Sequence, residues 1–323
     1  MENDKQKVSI IIATFNRDNL IKRAIDSVFL QNYPNFEIIV VDDCSVDKTG
    51  EIVNGYNDSR IIYIRNESNY GVAKSRNIGI GNSTGEFISF LDSDDEWLPG
   101  KLVSELKLLE ENPDCAAVSF DQIFINEKNK KNFNRQILFK QNPSHSQLIS
   151  REDVLRGKSL STNDFTIRKN IIKKIKGFDE NFPSREDWDI WIRITEVSSV
   201  IQSSIIMTKK YIFHGYQLST DINKKIKGTV AILNKYKNLF LSDSTAFFRI
   251  YLIIIVLFIF KNEPISAKLY LEESIKSLKD KRKKFVLRSI LLIIKVFGFS
   301  GTRFLNIIFK ILNPNSYLLW VNQ

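Results

Sequence analysis

The chain has 323 residues, of which 43% are hydrophobic, and its formal net charge is +10. This length and composition predict one large domain or two smaller ones, each with a hydrophobic core. Two cysteines, Cys44 and Cys115, are too few for a disulfide framework or a structural zinc site. The apolar run behind the charged start is too brief for a secretory signal peptide, so we expect a protein of the reducing cytoplasm.

The positive charge is concentrated in the last third of the chain. From Asn223 onward there are 18 Lys and Arg against 5 Asp and Glu, whereas the preceding residues hold 29 basic and 32 acidic groups. Such asymmetry indicates two parts with different roles. We therefore predict a near-neutral catalytic or binding domain over residues 1–222 and a separate basic region over residues 223–323.

Short apolar runs alternate with amphipathic segments along the first 121 residues. The run at 8–15 is rich in isoleucine, as expected of a strand buried on both faces, and residues 17–31 place apolar side chains at helical spacing. Further strands are predicted at 36–43, 60–66, 85–92 and 115–121, and further helices at 45–56, 71–83 and 98–113. This alternation predicts an α/β fold in which a mostly parallel, Rossmann-like sheet is flanked by helices on both faces.

Polar residues stand at the ends of several predicted strands. In sheets of this kind, ligands bind outside the carboxyl ends of the strands. The residues at those ends are Asn16, Asp42, Asp43, Asp92, Asp94 and Asp95, and they form one candidate site. The last three belong to the run 92–96, where four acidic side chains repel one another, and a bound cation is the usual compensation for such a cluster.

Several other motifs are excluded by their spacing. The glycines at 79–85 end a helix instead of joining a strand to a helix, and no P-loop pattern exists. An EF-hand that began at Asp92 would need glycine where Trp97 stands. The basic run at 279–284 lacks interleaved aromatic residues, so no nucleic-acid partner is predicted.

Six blocks of the sequence, taken in order, resemble the family 2 glycosyltransferases, which have the A-type nucleotide-sugar transferase fold. The blocks are VSIIIATFNR, VVDDCSVDKT, NYGVAKSRNIGI, GEFISFLDSDDEWLP, GFDE and EDWDIWIRI, and the resemblance covers roughly residues 7–220. The resemblance implies an enzyme that moves a sugar from a nucleotide diphosphate sugar to an acceptor hydroxyl, usually with inversion at the anomeric carbon. UDP is the commonest nucleotide in such sites.

The resemblance also implies a divalent cation, Mn²⁺ or Mg²⁺, that neutralises charge on the departing pyrophosphate. Asp92-Ser93-Asp94 is similar to the family's D-x-D signature, so Asp94 or the adjoining Asp95 is expected on the metal and Asp92 on the donor ribose. His214 stands where related enzymes often carry a histidine near the metal or diphosphate. For the aspartates, the alternative is a polar turn that caps the next helix. For His214, the alternative is a core histidine whose hydrogen bonds are satisfied.

Other residues are assigned to the donor nucleotide by the same resemblance. Asp43 matches the residue that accepts a hydrogen bond from the nucleobase, with Asp42 beside it, and Ala13 and Thr14 match the small residues against which the base lies. Arg76 matches a position that faces the diphosphate. The alternative for Asp42 and Asp43 is that they only cap the next turn. The alternative for Arg76 is that it lies on a solvated helix face.

The acceptor side of the reaction needs a carboxylate as general base. The block EDWDIWIRI is similar to the family's E-D motif at a helix start, which makes Asp187 the expected base and Glu186 a neighbour that contacts the acceptor. Carboxylates at helix starts are also ordinary capping residues, and this alternative stays open.

Two other classes of function compete with the glycosyltransferase interpretation. A nucleotidyltransferase that makes sugar nucleotides would carry a glycine-rich loop after the first strand, where this chain has ATFNRDNL. An inactive sugar-nucleotide-binding module would not need every carboxylate of the chemistry, yet all of them are present.

The region 223–323 contains no recognised chemical motif. Its longest uncharged run, 250–260, is too short for a membrane span, which needs about 20 residues. The segments 264–278, 285–299 and 303–312 are typical of apolar or amphipathic helices with cations between them. They predict either a helical subdomain or a surface that lies on anionic lipid at the inner face of the cell membrane, close to a saccharide or lipid-linked saccharide acceptor.

Overall fold

The computed structural model describes residues 6–126, 131–134, 146–158, 160–212 and 221–297, and these residues form two compact units. The first unit contains the described residues of 1–151, 159–181 and 186–214. The second contains those of 152–158, 182–185 and 215–323. Two short segments that precede residue 186 therefore pack with the C-terminal residues. The division into domains at residue 222 stays a prediction.

The first strands of the sheet are parallel, as the alternating sequence predicts. β1 (Val8–Thr14) pairs with β2 (Phe36–Asp42) on one side and with β4 (Phe87–Phe90) on the other, and β3 (Ile61–Arg65) extends the sheet beyond β2. Nearly every residue of β1, β2 and β4 is buried, as expected of strands covered on both faces. The carboxyl ends of these strands therefore lie at one edge of the sheet.

Later strands make the sheet mixed. β9 (Phe165–Arg168) runs antiparallel between β4 and β6 (Cys115–Asn126), and β10 (Ser199–Ile212) runs parallel to β6. The strand order is β3-β2-β1-β4-β9-β6-β10-β5. The sheet is completed by β5 (Glu96–Trp97), β7 (Lys131–Asn134) and β8 (Ser146–Ile149). The predicted α/β class is confirmed, although strands after residue 121 were not foreseen.

Helices cover the sheet of the first unit. They are α1 (Ile21–Phe29), α2 (Thr49–Asn54), α3 (Val72–Asn82), α4 (Lys101–Glu111), α6 (Lys169–Lys174) and α7 (Glu186–Val197), with a short α5 (Arg151–Leu155) where the two units divide. The apolar stripe of α1 is buried in one core with β1 and β2. On α3, a Cβ added at Gly79 would stand 2.5 Å from a methyl of Ile11, so this glycine lets the helix approach β1 closely.

The described part of the second unit consists of helices that pack around one apolar helix. Its helices are α8 (Ile222–Lys235), α9 (Lys237–Ser242), α10 (Ser244–Phe260), α11 (Pro264–Ser277) and α12 (Lys281–Phe297). Asp243 caps α10 by accepting from the backbone N–H groups of Thr245 and Ala246. About half of the residues of α10 are buried, and the helix packs against α8, α9 and α11, which explains its apolar composition as a core helix. None of the described helices is both long and apolar enough to cross a membrane. The predicted helix at 303–312 lies outside the described residues.

Candidate active site

Three aspartates meet just beyond the carboxyl end of β4. Asp92, Asp94 and Asp95 each offer a carboxylate oxygen, and these oxygens lie within 4.8 Å of one another. We call these three residues the aspartate cluster. Their approach follows from the short turn after β4, in which the Asp95 N–H donates to the Asp92 carbonyl at 3.1 Å and Ser93 is buried. The sequence prediction that these carboxylates gather in one place therefore agrees with the structure.

Asp95 is the most deeply buried member of the cluster. Its side chain is 1% exposed, and one oxygen accepts from the Tyr211 backbone N–H at 2.9 Å, while the other accepts from the Asn163 amide. Burial raises the pKa of Asp95 well above its usual value, although the Lys210 ammonium opposes that rise. These contacts tie Asp95 to two distant segments, so it holds the site together whether or not it also binds a metal.

Asp92 lies between two cations. Its Oδ1 accepts from Arg76 Nη2 at 2.9 Å, and its Oδ2 lies 3.3 Å from Lys210 Nζ. Burial alone would raise the pKa of Asp92, but Lys210 and Arg76 hold it below its usual value, so this carboxylate is ionised. The Asn163 side-chain oxygen also accepts from the Asp92 backbone N–H at 2.7 Å, which fixes the start of the turn.

Asp94 is less exposed than Asp92, whose side chain is 27% exposed, but more exposed than Asp95. Its side chain is 18% exposed, and Arg17 Nη2 lies 3.6 Å from Asp94 Oδ2. Burial and the neighbouring charge of Asp92 raise the pKa of Asp94. Carboxylate oxygens in this spacing fit a hard divalent cation such as Mn²⁺ or Mg²⁺. Of the two predicted ligands that the structure describes, Asp94 is more exposed than Asp95, and the role of either on a metal stays a prediction. His214 lies outside the described residues.

Lys210 is the member of the site that the sequence analysis missed. It stands near the end of β10, and its Nζ lies 3.3 Å from Asp92 and 3.5 Å from Asp95. The three carboxylates raise the pKa of Lys210 although burial opposes this, so the side chain is a permanent cation. The only signal in the sequence was a pair of lysines within the strand, at positions 209 and 210.

Arg76 connects the aspartate cluster to the predicted base. It is buried on α3, so it does not lie on a solvated helix face, and its guanidinium also donates to Glu186 Oε1 at 3.1 Å. Burial and the neighbouring Asp187 raise the pKa of Glu186, and Arg76 opposes that rise. The arginine therefore lies between carboxylates that the sequence assigned to the donor and to the acceptor.

Glu186 and Asp187 are the first two residues of α7, as the sequence predicts. Asp187 Oδ1 accepts from the Trp188 backbone N–H at 2.8 Å, a contact of the capping kind. Glu186 is paired with Arg76, whereas Asp187 has no cationic partner within hydrogen-bonding distance among the described residues. Of the two carboxylates, Asp187 is therefore the one that the structure does not pair with a cation within the described residues.

Asp42 and Asp43 have structural partners. Asp42 is fully buried, with one oxygen accepting from the Ser45 N–H at 2.8 Å and the other from the Tyr63 hydroxyl at 2.6 Å. Asp43 accepts from the backbone N–H groups of Tyr70 and Gly71, each at 2.8 Å. Both residues therefore make the contacts expected of aspartates that stabilise a turn. Their role in binding a nucleobase stays a prediction.

The end of β1 lies beside these turns. Ala13 is partly buried, and Thr14 accepts from the Asp43 backbone N–H through its carbonyl at 2.8 Å. The Thr14 hydroxyl is buried and has no hydrogen-bond partner in the described part of the chain. Asn16 adopts a left-handed conformation with φ of 51°, and its Oδ1 accepts from the Val46 N–H at 2.9 Å. Asn16 thus holds the loop after β2 against the loop after β1.

Comparison with known proteins identifies this arrangement. Residues 9–175 match the family model described as glycosyl transferase family 2. The chain belongs to this family. The family 2 resemblance inferred from the six blocks is confirmed, the protein is a glycosyltransferase, and the nucleotidyltransferase alternative is set aside.

Individual family 2 relatives differ in how much of their length the chain covers. An uncharacterised glycosyltransferase of Rickettsia felis is 33% identical over 72% of this chain, which spans only 37% of that relative. An Escherichia coli relative named UDP-Glc:alpha-D-GlcNAc-diphosphoundecaprenol beta-1,3-glucosyltransferase WfaP is 29% identical, with 68% of this chain and 82% of the relative covered. The crystal structure of S. aureus TarS 1-349 in complex with UDP-GlcNAc covers 95% of this chain and 92% of its own at a TM-score of 0.63 and 20% identity. That likeness confirms the A-type fold.

Proposed function

We propose that this family 2 glycosyltransferase moves a sugar from a UDP-sugar to a hydroxyl of a lipid-linked saccharide or growing polysaccharide at the cell surface, with inversion of the anomeric carbon. The observation that carries the proposal is Arg76, whose guanidinium pairs with Asp92 of the aspartate cluster and with Glu186 beside the candidate base. The name of WfaP includes UDP-Glc and a diphosphoundecaprenol saccharide, and TarS is known in complex with UDP-GlcNAc. Both support the proposed donor, and the WfaP name supports the proposed acceptor.

The aspartate cluster is the proposed metal site. Asp94, with Asp92 or Asp95 beside it, would hold Mn²⁺ or Mg²⁺, and His214 is proposed as a further ligand. When bound, the cation supplies Lewis-acid neutralisation of the diphosphate. Ser93 would approach the donor because it lies in the same turn as Asp92. Asp92 itself is proposed to bind the donor ribose.

Asp187 is the proposed general base. One of its oxygens accepts from the Trp188 N–H, which leaves Oδ2 to take the proton of the acceptor hydroxyl. The acceptor oxygen then forms a bond to the anomeric carbon as the bond to the diphosphate oxygen breaks, and UDP leaves with the electron pair. Attack opposite the leaving group inverts the configuration. Glu186, held by Arg76, would position the acceptor.

The nucleobase is proposed to lie at the end of β1. The Thr14 hydroxyl is buried without a partner among the described residues, and such a group costs free energy until it is hydrogen-bonded. The small side chain of Ala13 is proposed to lie against the base. Asp43, which already orders the turn at Tyr70 and Gly71, is proposed to accept from the base, and Asp42 is proposed to serve the same site.

The second unit is proposed to bind the inner face of the membrane. Large apolar side chains are exposed on the last two of its described helices, with 77% of Ile265, 62% of Leu269, 71% of Phe285 and 62% of Leu292 accessible. Four consecutive cations, residues 281–284, begin α12 beside them. Exposed apolar residues interspersed with cations are typical of surfaces that lie on anionic lipid. Such binding would bring the enzyme to a lipid-linked acceptor.

The experiment is a donor screen with the purified full chain. UDP-Glc, UDP-GlcNAc and UDP-Gal are each incubated with Mn²⁺, and release of UDP is followed, with GDP-Man as the control. We expect slow donor hydrolysis with a UDP-sugar, abolished by EDTA, and transfer when a saccharide diphosphate lipid is added. The anomeric configuration of the product is read by NMR. Turnover of GDP-Man alone, or a product of retained configuration, would contradict the proposal.

A further inference from the structure

Lys210 brings a fixed positive charge into the aspartate cluster. Its Nζ lies 3.3 Å from Asp92 Oδ2 and 3.5 Å from Asp95 Oδ2, and its side chain is 32% exposed. The neighbouring Lys209 instead pairs with Glu96 at 2.8 Å, since successive side chains of a strand point to opposite faces. The two lysines are therefore adjacent in sequence but only Lys210 enters the cluster.

Arginine side chains also bring positive charge to the cluster. Arg76 contacts Asp92 but divides its charge with Glu186, and Arg17 is 3.6 Å from Asp94. Lys210 is the cation that contacts two members of the cluster at once within the described residues. A divalent ion that approached Asp92 and Asp95 would meet this ammonium at short range, and like charges repel strongly where water is scarce.

We infer that Lys210 is a resident counter-ion of the aspartate cluster, which competes with the divalent cation for Asp92 and Asp95 and provides positive charge to the donor diphosphate. This inference rests on the proposed donor site. In the protein without nucleotide, Lys210 keeps the carboxylates together and makes binding of the metal alone weak. When the donor diphosphate is present, its negative charge pairs both with the metal at Asp94 and with the Lys210 ammonium.

The test measures metal and nucleotide separately, without turnover. Binding of Mn²⁺ alone is followed by the EPR signal of the free ion, and UDP binding in EDTA by calorimetry, in the full chain and in Lys210→Met. We expect Lys210→Met to bind Mn²⁺ about tenfold more tightly, because the competing charge is gone, and to bind UDP in EDTA about tenfold more weakly. Lys209→Met, which breaks only the Glu96 pair, is the matched control and should stay within about twofold of the wild type on both measurements.

Loss of Lys210 removes the ammonium partner of the buried Asp95 and one of the two cations at Asp92, so the variant is expected to melt at a lower temperature and to regain more stability from Mn²⁺ than the wild type does. Should Lys210→Met fail to fold, Lys210→Gln keeps a hydrogen-bond donor without the charge and carries the same expectations. Unchanged or weaker Mn²⁺ binding in the variant that folds overturns the inference. Absence of UDP binding by the wild type with Mn²⁺ present would instead overturn the proposed function.

Discussion

Arg76 Nη1 lies 3.1 Å from Glu186 Oε1, so a residue of α3 is paired with the first residue of the helix that carries the candidate base. The same guanidinium donates from Nη2 to Asp92 Oδ1 at 2.9 Å. A planar fork can satisfy two carboxylates in this way, whereas an ammonium is a single point charge. The donor and acceptor sides of the proposed reaction are thus connected through one side chain.

Arg76→Lys should therefore impair catalysis although it keeps the charge. We expect kcat/KM to fall about 100-fold, because lysine cannot hold Asp92 and Glu186 together and the loss corresponds to about 3 kcal/mol of transition-state stabilisation. Steady-state release of UDP measures the effect. Arg60→Lys, at the exposed pair with Asp58, is the control and should leave turnover unchanged. Activity of Arg76→Lys within threefold of wild type would show that the bridge is unimportant.

Asp94 and Asp95 should respond differently to loss of charge. Asp94→Asn is expected to abolish Mn²⁺-dependent UDP binding while the melting temperature holds or rises, because repulsion within the cluster is relieved. Asp95→Asn should lower the free energy of unfolding by about 1–3 kcal/mol, because buried hydrogen bonds to Asn163 and Tyr211 are disturbed. Calorimetry and thermal melts distinguish the two. UDP–Mn²⁺ affinity that is unchanged in Asp94→Asn would move the metal to other ligands.

Asp187→Asn should separate chemistry from donor binding. The amide has the same shape but cannot accept the proton, so kcat is expected to fall about 10²- to 10⁴-fold with UDP affinity nearly unchanged. Glu186→Gln is the matched variant one residue away, and its fall in kcat should be smaller because Glu186 is already paired with Arg76. The opposite order, with Glu186→Gln the more damaging, would identify Glu186 as the base.

The lowered pKa of Glu37 predicts how the free energy of unfolding depends on pH. It is buried, which would raise its pKa, but hydrogen bonds from Lys7, Ser9 and Thr84 lower the pKa to about 2 from 4.5. Since the folded-state value is the lower one, this stabilisation is complete above about pH 4.5 and is lost as the pH falls toward 2. It amounts to at most about 3 kcal/mol.

Glu37→Gln removes that titration. We expect the free energy of unfolding of the variant to be about 2–3 kcal/mol lower than that of the wild type at pH 7. This gap should narrow by about 1 kcal/mol at pH 3.5, because the Glu37 carboxylate of the unfolded wild type is mostly protonated there. Urea unfolding at the two pH values measures it. Glu110→Gln on exposed α4 surface is the control and should show neither change. A gap that is constant with pH would mean that Glu37 is not ionised as described.

Membrane binding is tested by the exposed apolar side chains of α12. Full-length protein should sediment with vesicles of phosphatidylglycerol, less with neutral lipid, and should dissociate partly at high salt. The double variant Phe285→Ser, Leu292→Ser should lose at least about fivefold in partitioning, because its buried apolar area on the lipid is reduced. Val46→Ser, at a residue of the first unit that is 86% exposed, is the control. Equal sedimentation of the double variant and wild type would contradict lipid binding by this face.

Local pattern was enough to predict the parallel part of the fold and the positions of the main carboxylates of the candidate site at element ends. Continuous apolar runs identify strands buried on both faces, and parallel strands place their carboxyl ends at one edge. Asp92 and Asp94 follow β4, and Glu186 and Asp187 begin α7, where the sequence assigned them. These features depend on neighbours in sequence, which is why a single chain reveals them.

Only the tertiary structure decided which of these side chains contact one another. Lys210 reaches Asp92 from 118 residues away, and Asn163 reaches Asp95 from 68 residues away. Both contacts follow from the register of β10 and from the antiparallel insertion of β9, for which the local sequence offers no period or turn signal. Likewise, the apolar run of α10 is equally compatible with lipid and with a protein core, and packing against α8, α9 and α11 determined that it is a core helix. Sequence thus determined the chemical groups that were available, and long-range pairing decided their charges and partners, because burial and electrostatic coupling arise only when distant segments meet.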